Sequence, residues 1–219
     1  MRVTIIGANG NIGRLTAKKL QADGQTPIAM VRKKEQMADF KEQGIQSVYG
    51  DLTGGIDDLT DVVRGSDAVV FTAGSGGSTG PEQTMLVDLD GAVKAIEATK
   101  KAGIDRFLIV SAIGADRWLT DHPQWLDQLG AYYPAKYYAD AWLKNSGLNY
   151  TIIRPGGLTN DPETGKVTIG KAQEPVSISR SDVAEIIVTA LKYPPKKPQE
   201  FDAVGGQTPI VEALKQLDN

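Results

Sequence analysis

Arg2-Val3-Thr4-Ile5-Ile6-Gly7-Ala8-Asn9-Gly10-Asn11-Ile12-Gly13-Arg14-Leu15-Thr16-Ala17-Lys18-Lys19-Leu20 is the stretch on which the fold turns. Residues 2–6 form a short, β-branched apolar run without polar alternation, as expected of a strand buried on both faces. Gly7, Gly10 and Gly13 interrupt that run, and helical spacing takes over from Arg14. Strand, glycine turn and helix in that order predict a pocket for a dinucleotide pyrophosphate. Glycine lets the backbone turn tightly and approach the phosphates, and the helix N-terminus offers unpaired N–H groups and partial positive charge. The competing reading is an ordinary strand-to-helix turn with surplus glycine, and the flanking strand and helix argue against it. Gly7, Asn9, Gly10, Asn11, Ile12 and Gly13 are therefore the first cofactor-binding candidates. A bulky residue at Gly10 or Gly13 is expected to abolish cofactor binding and spare the fold.

The glycine spacing is G-x-x-G-x-x-G, with Ala8 where the commoner fingerprint has its second glycine. This spacing resembles the extended and atypical short-chain dehydrogenase/reductases. The rest of the chain supplies residues against which the resemblance can be tested.

Working outward, apolar runs alternate with amphipathic stretches to the end of the chain, which predicts a parallel sheet covered by helices on both faces. Strands are expected at 27–31, 47–49, 68–71, 106–110 and 150–153, with a short seventh at 201–204. Helices are expected at 34–41, 57–63, 81–101, 133–146 and 183–191, with another from about residue 208. A glycine- and serine-rich loop spans 74–80, and a polar, hairpin-like region spans 154–176. Ser179 and Asp182 stand at capping-box spacing, so Asp182 reads as a helix cap and not a catalyst. The expected fold is a single α/β domain over residues 1–219, with small C-terminal elements on the substrate side. Its sheet is doubly wound and parallel, and the resemblance implies the Rossmann strand order 3-2-1-4-5-6.

Composition narrows the function. The chain has 219 residues, no cysteine, one histidine and a formal charge of −3. Disulfides, thiolate nucleophiles and cysteine- or histidine-rich metal sites are excluded, so no metal is expected. The mild acidity gives no general attraction to nucleic acid or anionic membrane. Met1 leads directly into a strand and no apolar run could span a bilayer, which together point to a cytoplasmic protein. The expected partner is a small-molecule substrate, and the oligomeric state is open.

Ligands of such sheets bind at the carboxyl ends of the strands. Arg32, followed by Lys33 and Lys34, ends the second strand where an NAD site carries an acid for the ribose 2′-hydroxyl. A cation there favours NADP over NAD, because its 2′-phosphate accepts charge-assisted hydrogen bonds. The alternative is a solvated basic turn. Asp51 and Leu52 follow the third strand, where the resemblance to short-chain dehydrogenase/reductases implies adenine contacts; the alternative is ordinary turn residues. Thr72-Ala73-Gly74 closes the fourth strand with small residues that let a ribose lie against backbone. Trp118, His122 and Trp125 fall in an irregular stretch, where the tryptophans either form an apolar lid or pack the loop onto its domain. His122 is expected to be solvated.

Tyr132-Tyr133-Pro134-Ala135-Lys136 extends the family resemblance, since Tyr132 and Lys136 match its Tyr-x-x-x-Lys pair and Ser111 its upstream serine. Arg154-Pro155-Gly156-Gly157 looks like its Arg-Pro-Gly segment, whose backbone borders the nicotinamide. With these, the chain resembles atypical members of the NmrA-like and biliverdin-reductase-B-like group. The resemblance implies that Tyr132 is the acid/base, that Lys136 binds the nicotinamide ribose and eases the loss of the tyrosine proton, and that Ser111 orients the substrate oxygen. Asp88 stands where the extended branch has an asparagine, and joins the catalytic candidates. Pro134 departs from the pattern, because a proline inside the motif suggests that the helix starts nearby and leaves Tyr132 before its regular part. Tyr132 is then either the catalyst or a structural tyrosine lining the pocket. Three functions follow: an NADP(H)-dependent oxidoreductase or epimerase acting on a small carbonyl, a tyrosine-independent flavin or quinone reductase, or an NADP redox sensor without catalysis.

Overall fold

The computed structural model describes residues 1–76, 79–171 and 176–217. Six parallel strands lie in the expected order: β3 (Gln46–Tyr49), β2 (Thr26–Val31), β1 (Arg2–Ile6), β4 (Ala68–Phe71), β5 (Arg106–Val110) and β6 (Asn149–Pro155). The Rossmann architecture read from the sequence is thus present. Alternation within the strands sends Val3, Ile5, Val70 and Leu108 to one face and Ile6, Phe71, Phe107 and Ile109 to the other. The first face is covered by α1 (Asn11–Ala22), α2 (Glu35–Glu42), α7 (Arg180–Lys192) and α8 (Ile210–Gln216). The second is covered by α3 (Ile56–Val63), α5 (Gly91–Lys101) and α6 (Tyr132–Lys144). Continuous apolar runs in the sequence arise from this two-sided burial.

The far side of the sheet is richer than expected. β10 (Gln199–Gly205) pairs parallel with β6 as the seventh strand, and β8 (Lys166–Gly170) adds to it antiparallel, followed by β11 (Thr208–Pro209). The region expected to be a hairpin instead contributes β8 to the main sheet. It also contributes β7 (Gly157–Thr159), which pairs parallel with β9 (Ser177–Ser179). Within that region, residues 172–175 lie outside the described residues, as do 77 and 78 of the glycine-rich loop.

The helix expected at 81–101 is not regular throughout. It runs as α4 (Pro81–Gln83), a π-helical segment Thr84–Asp90 and then α5. At its end the Gly91 N–H donates to Leu86 O, five residues back. Such wide turns are uncommon and recur at functional sites. No helix among the described residues is long and apolar enough to cross a membrane.

Candidate active site

The glycine turn forms the floor of a cleft of about 280 Å³ at the carboxyl ends of β1, β2, β3 and β4. Gly7, Asn9 and Gly10 line it, together with Arg32, Asp51, Leu52, Thr72, Ala73 and Gly74. Nine of the sequence candidates therefore share one cavity, although they come from four separate strand ends. Gly7 has φ +83°, and a Cβ there would lie 2.5 Å from Ala73 N, so only glycine lets the ends of β1 and β4 meet. Thr72 secures the same junction, its hydroxyl donating to Ile6 O at 3.1 Å.

Asn11, Ile12 and Gly13 do not line the cleft. Asn11 opens α1, Ile12 is buried in the core, and Gly13 packs against the turn. A Cβ at Gly13 would stand 2.4 Å from Gly7 O and 2.7 Å from Ala8 Cα. Gly13 is therefore needed for helix–strand packing, which corrects the expectation that its replacement would spare the fold.

At the ends of β2 and β3, Arg32 is exposed and lines the cleft. Asp51 forms an Asx turn, its Oδ1 accepting from Thr53 N at 2.9 Å and Thr53 Oγ1 at 2.8 Å. Those two bonds, with a smaller contribution from Arg32, hold its carboxyl below the usual carboxylate range.

At the other end, α6 starts at Tyr132 itself, with Pro134 as its third residue. N–H groups in the first turn have no intrahelical acceptor, so proline costs nothing there. The first regular bond follows at once, from Ala135 N to Ala131 O at 3.1 Å. Tyr132 and Lys136 consequently share a face, and the Lys136 Nζ lies 5.6 Å from the centroid of the Tyr132 ring. The doubt raised by Pro134 is resolved by the helix beginning two residues earlier.

Lys136 is only 3 % exposed, and its Nζ stands 3.0 Å from Oδ1 of Asp88, itself 1 % exposed. Burial opposes the ammonium charge, but Tyr132, Asp88 and Asp140 outweigh it and hold Lys136 above its ordinary pKa. Asp88 lies in the π-helical segment, and its other oxygen accepts from Ser75 N at 2.9 Å, just beyond Gly74 in the cleft wall. Two remote segments thus join the cleft to the tyrosine–lysine pair. Ser111, at the end of β5, is buried nearby, its N–H donating to Ile153 O at 2.8 Å.

Pro155 ends β6, Gly156 follows it and Gly157 opens β7, and none of the three lines the cleft. A Cβ at Gly156 would lie 1.7 Å from Val176 O, so glycine there permits β6 to pass beneath the following segment. The adjoining Arg154 is buried and pairs through Nε with Asp140 at 2.9 Å and through Nη2 with Glu200 at 2.5 Å. Asp140 was not singled out in the sequence. The available signal was its position four residues after Lys136, on the same helical face.

The tryptophans pack their loop. Trp125 meets Tyr133 edge-on at 5.5 Å, and Tyr133 meets Tyr132 at 5.4 Å, with Trp118 and Leu126 in the same cluster. Gly114, at φ +78°, leaves room for the Trp125 ring. Burial pushes the Tyr133 phenol up to about 12, as suits a packing residue. His122 is tied down and not simply solvated: Nδ1 lies 2.8 Å from Trp118 O and Nε2 lies 2.9 Å from Asp127 Oδ1.

The chain as a whole is similar to known proteins. A family model described as NAD(P)H-binding matches residues 7–194. A Bacillus subtilis protein named as an uncharacterized sugar epimerase, YhfK, is 48 % identical over 218 residues, covering 99 % of this chain and 100 % of that one. The structure of a candidate NAD-dependent epimerase/dehydratase from Bacillus halodurans matches with TM-score 0.91 and 40 % identity, over 99 % of this chain and 100 % of that chain. The Lactococcus lactis oxidoreductase ylbE matches with TM-score 0.87 and 31 % identity, over 99 % and 96 % of the two chains.

Proposed function

Because the chain belongs to the NAD(P)H-binding Rossmann family, among the atypical short-chain dehydrogenase/reductases, we propose that it is an NADP(H)-dependent oxidoreductase or epimerase-type enzyme acting on a small carbonyl compound. The observation that carries this reading is the Tyr132–Lys136 pair on one face of α6, with its lysine buried and ion-paired to Asp88.

The residues fit a dinucleotide. Gly7 and Gly10 leave the floor of the cleft free of side chains, and Arg32 in the cleft lining is a cation of the kind that would suit a 2′-phosphate. When bound, the nicotinamide supplies or receives the hydride. In carbonyl reduction Tyr132 would donate the proton to the substrate oxygen and in the reverse direction accept it, Ser111 would orient that oxygen, and Lys136 would hold the nicotinamide ribose while its charge supports the tyrosine. Asp88 keeps Lys136 in place. The partner on this reading is a small-molecule substrate.

The test is Tyr132→Phe, assayed by NADPH consumption against a panel of carbonyls, quinones and flavins. Cofactor affinity should survive, and turnover should fall by roughly a hundred- to ten-thousandfold, as for a lost general acid. Tyr133→Phe is the control and should change little. Unchanged turnover in Tyr132→Phe would point to the tyrosine-independent reductase. NADPH binding without turnover by the parent would point to the redox sensor.

A further inference from the structure

The face of α6 that carries Tyr132 and Lys136 continues one turn further to Asp140, a carboxylate that the proposed chemistry leaves unused. Asp140 is 2 % exposed. Its Oδ2 accepts from Arg154 Nε at 2.9 Å, whereas Oδ1 is buried without a well-formed hydrogen bond, as is the Oγ of Ser111. Arg154 does not depend on Asp140 alone, since Glu200 pairs with it at 2.5 Å. Lys136, likewise, already has Asp88 at 3.0 Å. A second buried carboxylate with an open oxygen is costly unless that oxygen is used.

We propose that Asp140 is a positioning residue of the active site: its Oδ1 receives and orients the Ser111 hydroxyl, and its charge offsets the Lys136 ammonium that acts on Tyr132. This inference rests on the reading of Tyr132 as proton donor. The groups around it are accounted for from each packed element. Arg154, Lys136 and Ser111 act on Asp140, while Tyr132 and Asp88 act with it on Lys136. Glu200 and Asp116 act, with Asp140, on Arg154. Burial pushes the Asp140 carboxyl up, and Arg154, Ser111 and Lys136 oppose that push.

Asp140→Asn keeps the shape and removes the charge. The ultraviolet absorbance of tyrosinate, followed against pH, reads the consequence without any substrate. Subtracting the titration of the same protein carrying Tyr132→Phe isolates the one phenol concerned. With Asp140 removed, Lys136 is less neutralised, so the Tyr132 midpoint should move to lower pH by about one unit. An unchanged midpoint accompanied only by a lower melting temperature overturns the proposal and leaves Asp140 as a structural partner of Arg154. Should Asp140→Asn fail to fold, Asp140→Asn with Arg154→Met removes both members of the pair, an exchange buried pairs often tolerate. A smaller shift in the same direction is expected there, because the Arg154 cation is lost along with the Asp140 anion that acts on Lys136, and its absence overturns the proposal equally. If Tyr132→Phe turns over like the parent, the proposed function fails, yet the titration still reports on Asp140.

Discussion

Arg32 and Asp51 line the same cleft from the ends of β2 and β3, and on the proposed reading the arginine is the group that meets the 2′-phosphate. The Oδ1 of Asp51 is already committed to the Thr53 turn. Arg32→Ala should therefore weaken NADPH and barely affect NADH. A charge-assisted hydrogen bond contributes roughly 1.5–3 kcal/mol, or about ten- to a hundredfold in affinity. Calorimetry with both cofactors checks this, and equal losses would assign Arg32 to the fold. His122 makes a second prediction at this scale. Its two ring nitrogens face a carbonyl and a carboxylate, so only the imidazolium can donate to both. The Trp118 bond and then Asp127 accordingly raise its pKa above 6.5. A raised pKa means that the contribution of His122 to loop stability is complete below the unfolded value and is lost as pH rises through the folded one. Because the chain has one histidine, a proton NMR titration reads it directly. Asp127→Asn should bring the midpoint back toward 6.5.

Among the elements, the glycine turn divides its labour between packing and binding. Gly7 and Gly13 hold β1, β4 and α1 in contact, whereas a Cβ at Gly10 would meet only Gly7 O, at 3.3 Å. Gly13→Val should lower the melting temperature or prevent folding. Gly10→Val should leave a folded protein that has lost NADPH binding, as checked by circular dichroism and calorimetry. The π-helical segment shows a similar division. It interrupts a regular helix, and within it Asp88 bonds both Lys136 and Ser75 N. Hydrophobic periodicity cannot announce such a segment, because one widened turn barely disturbs the apolar pattern.

At the scale of the whole molecule, a cofactor that binds only the folded chain stabilises it by mass action. NADPH at about a hundred times its dissociation constant should add roughly 2.7 kcal/mol. For a chain of this size that corresponds to a rise of about 5–10 °C in melting temperature. NADH at the same concentration should produce a smaller rise, and equal rises would remove the argument from Arg32. The strands, the glycine turn and the nine residues that meet in the cleft are legible in the sequence, whereas the strand order is what the family resemblance implies. Buried parallel strands write continuous apolar runs, and a phosphate-binding turn requires glycine at set intervals, so both are local patterns. Where Tyr132 stands relative to Pro134 was also a local matter, but one that sequence left open, because helices tolerate proline anywhere in the first turn. The pairing of Asp88 with Lys136, and the chain of charges from Lys136 through Asp140 and Arg154 to Glu200, joins residues from four distant segments. Apart from the four-residue step from Lys136 to Asp140 on one helix, spacing along the chain carries no record of such contacts. They exist because the tertiary fold buries these charges together, and a buried charge must find its partner in space.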